Sequence, residues 1–242
     1  MNIRKNAMFV VLAVVLSGCA GASVSDRTQA ASLYGTEPAQ IVVYPFATNP
    51  DQVTLNQSFL QRSYREMSGE NVEAQQSTIA DQTAQNVCME VVTALSQKGY
   101  NAVCQTRGVP PGGGNTLVVE GEFTDISEGN RLRRMVVGFG AGASVLDTDV
   151  YVYQPAPDGG QHQVLSFNTH ADSGKMPGVA VTGPAGAAAG GATAAATLGA
   201  NVAMGGLKTY RSTIDFLGDQ TAKQIADTIQ QYYVQQGWAA GG

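Results

Sequence analysis

Few residues in this chain of 242 have the type and spacing that chemistry needs. Cys19 is the first. It closes Leu16-Ser17-Gly18-Cys19, which follows a basic pair, Arg4 and Lys5, and an uninterrupted apolar run from Ala7 to Leu16. That run is too short to cross a bilayer comfortably and suits the core of a signal peptide. Small residues before a cysteine fit a lipoprotein signal peptidase, and the thiol can then accept a diacylglycerol group. The pattern predicts a signal peptide over residues 1–18 and an acylated Cys19 as the mature N-terminus. An ordinary leader with an incidental cysteine, or an anchor that is never removed, would use only part of it. Ala20, not Asp, follows Cys19. That choice points to the outer membrane, with the chain lipid-anchored on its periplasmic face. Acyl chains hold a protein on a bilayer at ~0.8 kcal/mol per buried CH₂, with no transmembrane helix required.

The remaining candidates are weaker. Glu120 and Glu122 are two apart on a predicted strand and share a face; paired carboxylates can do acid–base work, but a wet strand face explains them more simply. His162 and His170 flank another predicted strand. Their even spacing puts them on one face, too far apart to share a metal without other ligands. Ser166 and Ser173 lie nearby without a nucleophile elbow. Gly138-Phe139-Gly140-Ala141-Gly142-Ala143 resembles a dinucleotide loop but leads into a strand, so the helix N-terminus that would receive a phosphate is missing. It reads as a bend in a β ribbon. No catalytic residue, metal site or cofactor is expected.

Arg131, Arg133 and Arg134 form the one basic cluster, either a solvated hairpin that discourages edge pairing or a contact for anionic lipid or an acidic partner. The chain as a whole is acidic. Its formal charge moves from −5 to −7 on processing, because Arg4 and Lys5 leave and no acid does. That balance gives no support to nucleic-acid binding.

Two further cysteines, Cys88 and Cys104, depend on the elements that carry them. Ile79, Thr83, Val87, Val91, Ala94 and Leu95 recur at three- and four-residue spacing and mark an amphipathic helix that stops at Gly99. A strand over Tyr100–Gln105 follows. If it folds back along the helix, the sulfurs reach similar height: about 15 Å of helix against about 16 Å of strand. A disulfide and two separate buried thiols both remain open.

The other elements follow from the same rules. Residues 40–46 form a β-rich run, and a short helix is expected between Leu55 and Met67. Leu117 to Ile126 alternates and turns at Glu128–Arg131, so that Arg131–Val137 pairs back as a hairpin. Strands are expected over Ser144–Tyr153 and Val164–Thr169, and a last helix from a cap at Asp219 to Gly237. Residues 19–38 are small and polar and read as a tether from lipid to domain. The order predicts one α+β domain over 39–238, with a tail at 239–242. It has two layers, a mixed or mainly antiparallel sheet with helices on one face, and an Ala/Gly-rich insertion at about 176–207 before the C-terminal helix.

The run VVEGEFTDISEGNRLRRMVVGFGAGASVLDTDVYVY, with the late glycine-rich stretch and the closing Gly237-Trp238, resembles the bacterial lipoproteins grouped as domain of unknown function 4410. The resemblance implies an envelope lipoprotein and no particular activity. The order of elements is also similar, at the level of fold only, to periplasmic α/β domains of curli-secretion and peptidoglycan-synthase-activator lipoproteins.

Residues 183–206 hold ten Ala and seven Gly, and no charge occurs between Lys175 and Lys208. Gly186 and Gly190 are four apart, as are Ala187, Gly191, Ala195, Gly199 and Ala203, a spacing that lets helix backbones approach closely. A flexible insertion, a packed helix and a membrane-inserted helix all stay open. The expected function is a lipid-anchored envelope protein whose periplasmic domain binds or scaffolds a partner, a second copy or another envelope component. The alternative is a hydrolase-like enzyme acting on cell-wall or lipid material.

Overall fold

Alternation of inward apolar and outward polar residues builds three long antiparallel strands. They are β5 (Thr116–Ser127), β6 (Val145–Pro155) and β7 (Gln161–Asp172). A computed structural model describes residues 21–34, 36–55, 63, 66–69, 71–109, 115–130, 142–156, 158–173 and 206–238, with 206–213 as backbone only. Besides these strands the described residues include β1 (Gly21–Gln29), β2 (Gln40–Val43), β3 (Val53–Thr54) and β4 (Ala102–Cys104), and the long helices α1 (Val72–Gln97) and α2 (Gly206–Gln235). The sheet order is β1-β7-β6-β5-β2-β4, with β3 also beside β5. Strands β1, β7, β6 and β5 are antiparallel; β2 and β3 join β5 in parallel, and β4 joins β2 in parallel. The fold is therefore α+β with a mixed sheet.

Both helices pack on one face. Asn71 caps α1 by accepting from the backbone of Glu73 (2.9 Å) and Ala74 (3.3 Å), and Val87, Cys88, Val91 and Leu95 are fully buried below it. In α2, Leu217, Ile225, Ala226, Ile229 and Tyr232 are fully buried at helical spacing. The helices run parallel, because contacts advance together along both: Asn86 with Asp215 (3.0 Å), then Lys98 with Asp227 (2.6 Å). They meet Leu117, Val119, Phe123, Val150, Val152, Leu165 and Phe167 of the sheet in one hydrophobic core.

One end of this core is aromatic. Tyr233 lies 4.6 Å from Tyr100 and 5.1 Å from Trp238, centroid to centroid. Burial raises the Tyr232 phenol to about 12; Ser32 opposes the shift without reaching hydrogen-bonding geometry. Burial, and then Glu37, raises Tyr233 further still.

Four expectations change. Residues 19–38 are not a free tether, since Gly21–Gln29 is an edge strand paired with β7. Ala22 and Val24 turn toward the core while Ser23 and Ser25 stay exposed, a pattern too slight to stand out in the sequence. The last helix begins at Gly206, well before Asp219, which sits inside it and pairs with Lys223 four residues on (2.7 Å). The two histidines do not share a face. A bulge around Val164 shifts the register, so His162 pairs with Gln154, whose side chain is buried on the helix side, while His170 pairs with Asp147 on the other side. Strand β7 also extends beyond the expected 164–169 at both ends. The Arg131–Val137 hairpin arm, most of the Gly138–Ala143 bend, most of the 55–67 helix, the 176–205 part of the insertion and the 239–242 tail lie outside the described residues.

Candidate interaction face

The second face of the sheet is polar, and among the described residues no helix packs on it. Strand alternation puts Glu120, Glu122 and Asp125 of β5, Asp147, Asp149, Tyr151 and Tyr153 of β6, and Ser166, Asn168 and His170 of β7 on this side. Register fixes their rows. Glu120 faces Tyr151, which faces Ser166; Glu122 faces Asp149, which faces Asn168; Asp125 faces Asp147, which faces His170. Like-charged neighbours in two of these rows repel one another unless a cation or a donor intervenes.

His170 supplies part of that relief. Its Nδ1 lies 2.6 Å from Asp147 Oδ1, and its Nε2 lies 3.6 Å from Asp172 Oδ2. Burial, and then the Asp147 charge, raises the Asp125 carboxyl above its ordinary range, with His170 pulling the other way. The phenols respond to the same field. Burial and then Asp149 and Glu122 raise Tyr151; burial and then Glu120 and Tyr151 raise Tyr153. Tyr44 is raised by burial and then by Glu120. It donates its hydroxyl to the Val109 carbonyl and joins Val42 and Val118 in a small buried patch at the parallel side of the sheet.

The backbone beneath is closely packed. A Cβ on Gly121 would stand 2.7 Å from the Asp149 carbonyl and 2.8 Å from the Phe46 ring, so only glycine allows β5 and β6 to close over Phe46. Arg107 reinforces the same point, donating to the carbonyls of Pro45 (2.7 Å) and Gly121 (3.0 Å).

Glu120 and Glu122 do share a face, as their spacing predicts, but His170 belongs to a different row two strands away. Ser166 sits in the Glu120 row, and Ser173 accepts from the Ser144 backbone (3.0 Å). Among the described residues no three His, Cys, Asp or Glu side chains converge to hold a metal ion. This surface presents aligned carboxylates and phenols, acceptors and donors for cationic and hydrogen-bonding groups. Alternation along Ser144–Tyr153 already sets Asp147, Asp149 and Tyr151 on one side in the sequence, whereas Asp125 joins them only through the β5–β6 register, which shifts between Phe123 and Asp125.

Cys88 of α1 and Cys104 of β4 are joined in a disulfide, with Cα atoms 5.8 Å apart. It ties the helix layer to the parallel side of the sheet. Cys19, Gly186, Gly190, Gly191 and Gly199 lie outside the described residues.

Residues 41–190 match the family described as a domain of unknown function, DUF4410. The chain belongs to that family. The DUF4410 match runs from β2 through β7, so it contains the whole polar face and the disulfide, while β1 and α2 lie outside it. Among curated proteins none matches the sequence. A solved PelC dodecamer from Paraburkholderia phytofirmans is similar over 82% of this chain and 96% of that one, at 10% identity and a TM-score of 0.31.

Proposed function

We propose that this DUF4410 protein is a bacterial envelope lipoprotein. It is acylated at Cys19 and held on the periplasmic face of the outer membrane. Its domain binds or scaffolds another envelope component, or a second copy of itself, without turning over a substrate. The observation that carries the reading is Leu16-Ser17-Gly18-Cys19 placed after a basic flank and a short apolar core. The Cys88–Cys104 disulfide supports it, because such bonds persist in oxidising compartments such as the periplasm. The polar sheet face supports the binding role, offering aligned carboxylates and phenols on neighbouring strands. Among the described residues no helix is long and apolar enough to cross a membrane.

Replacing Cys19 by Ala tests the reading. Acyl labelling should disappear, and the protein should leave the outer-membrane fraction. A Cys19→Ala protein that keeps both its label and its fractionation would end the lipoprotein assignment.

A further inference from the structure

The aromatic end of the core holds three hydroxyls that ring packing does not explain. Tyr232 and Tyr233 are neighbours on α2, and Tyr100 follows the Gly99 turn that ends α1. They are 0%, 1% and 7% exposed. Their rings pack edge-on or tilted within one cluster with Trp238. Among the described residues none of the three hydroxyls has a hydrogen-bond partner. A buried hydroxyl left unpaired costs more than an ordinary hydrogen bond gains, and native proteins leave few of them. Phenylalanine would fill the same space without that cost.

The hydroxyls face the chain that joins β1 to β2. Ser32 acts on the Tyr232 phenol, and the Glu37 charge acts on both Tyr233 and Tyr100. Side-chain amides, not a strand ladder, hold this chain in place. Gln236 accepts from Ser32 N (3.1 Å) and Gln154 from Leu33 N (2.8 Å). Asn115 donates to the carbonyls of Thr36 (2.6 Å) and Glu37 (2.9 Å).

Both residues near the phenols have acceptor capacity left. Ser32 Oγ lies 2.9 Å from both Gln154 Oε1 and the Tyr34 carbonyl, which uses its proton, and it accepts from Tyr34 N (3.1 Å). One lone pair remains. The Glu37 carboxylate makes no ion pair among the described residues. The chemistry of the site selects its guest. An apolar molecule would leave the hydroxyls unpaired, and an anion would be repelled by Glu37. Water is neutral, both donates and accepts, and bridges groups that stand too far apart to bond directly.

We infer that Tyr100, Tyr232 and Tyr233 line an interior site for ordered water, which bridges their hydroxyls to Ser32 and Glu37. The bridge seats the chain between β1 and β2 on the ends of both helices. Edge strand β1 is thereby joined to the helix layer through a wet contact as well as through its ladder with β7.

Two measurements test this. The first is a crystal structure of the protein at a resolution that shows ordered water. Density for water within hydrogen-bonding distance of at least two of the three hydroxyls is expected. The second is thermal unfolding of Tyr100→Phe, Tyr232→Phe and Tyr233→Phe, made singly. Each change removes a hydroxyl that water satisfies, so each should lower Tm by about 2–4 °C. Trp238 is the single tryptophan and packs against Tyr232 and Tyr233, so unchanged emission shows that the variants keep this packing. Hydroxyls bonded directly to protein groups in the crystal, or with no density beside them, overturn the site whatever the melts show. A Tm that stays or rises in all three variants overturns the bridge, because that is the response of hydroxyls buried dry.

Discussion

Opening the Cys88–Cys104 bond should cost this domain a measurable share of its stability. The two cysteines are 16 residues apart and connect α1 to β4 across the edge of the core. Closing a loop of that length removes chain entropy worth about 3 kcal/mol from the unfolded state. In a domain of this size each kcal/mol moves Tm by about 2–4 °C, so reduction should lower Tm by roughly 6–12 °C. Cys88 is fully buried, so its replacement would add a packing cost; Cys104 is partly exposed and is the better site for substitution. Thermal unfolding of wild type with and without reductant, beside Cys104→Ala, separates the terms. Wild type should drop on reduction to near the variant, and the variant should not respond to reductant. Wild-type Tm that is unchanged by full reduction would refute the entropic reasoning for this loop.

Gly121→Ala should destabilise by about 1–3 kcal/mol, because the added Cβ meets a backbone carbonyl and a packed ring; denaturant unfolding reads the change directly. The raised Asp125 carboxyl means that the folded state holds this proton more tightly than the unfolded chain. Its contribution is complete below the unfolded carboxyl pKa, about 4, and is lost as pH rises through the raised folded value. Asp125→Asn should therefore raise Tm at pH 7 and flatten its fall above pH 4, as a pH series of thermal melts will record. Gly191→Leu with Gly199→Leu should reduce crosslinked oligomers in membranes, whereas Ala at both sites should be tolerated; equal yield from all three proteins would return the stretch to a simple insertion.

The sequence carried the long-range plan of this fold because its strongest signals are periodic. Ile79 to Leu95 shows helical spacing and Leu117 to Phe123 shows alternation, and both patterns arise from burying one face against the same core. Strand β1 escaped because its inward residues, Ala22 and Val24, are small and its pairing with β7 is a long-range event. The misplaced start of α2 has a different origin. Asp219 is a good capping residue in isolation, but in the fold it lies mid-helix beside Lys223. The polar face was half legible. Glu120 and Glu122 share a face by simple parity, yet the bulge at Val164 reverses the parity of His162, and no local pattern announces a bulge. The height match between Cys88 and Cys104 depended only on helix rise and strand rise, which are fixed by backbone geometry.

The mass of the N-terminal peptide tests the proposed function most directly. The protein is extracted from isolated outer membranes of its native host, digested, and its first peptide measured. A mature chain beginning at Cys19, heavier than its sequence by a diacylglycerol group and an N-linked acyl chain, is the predicted result. A first peptide that retains residues 1–18, or one that starts elsewhere without lipid, would contradict it.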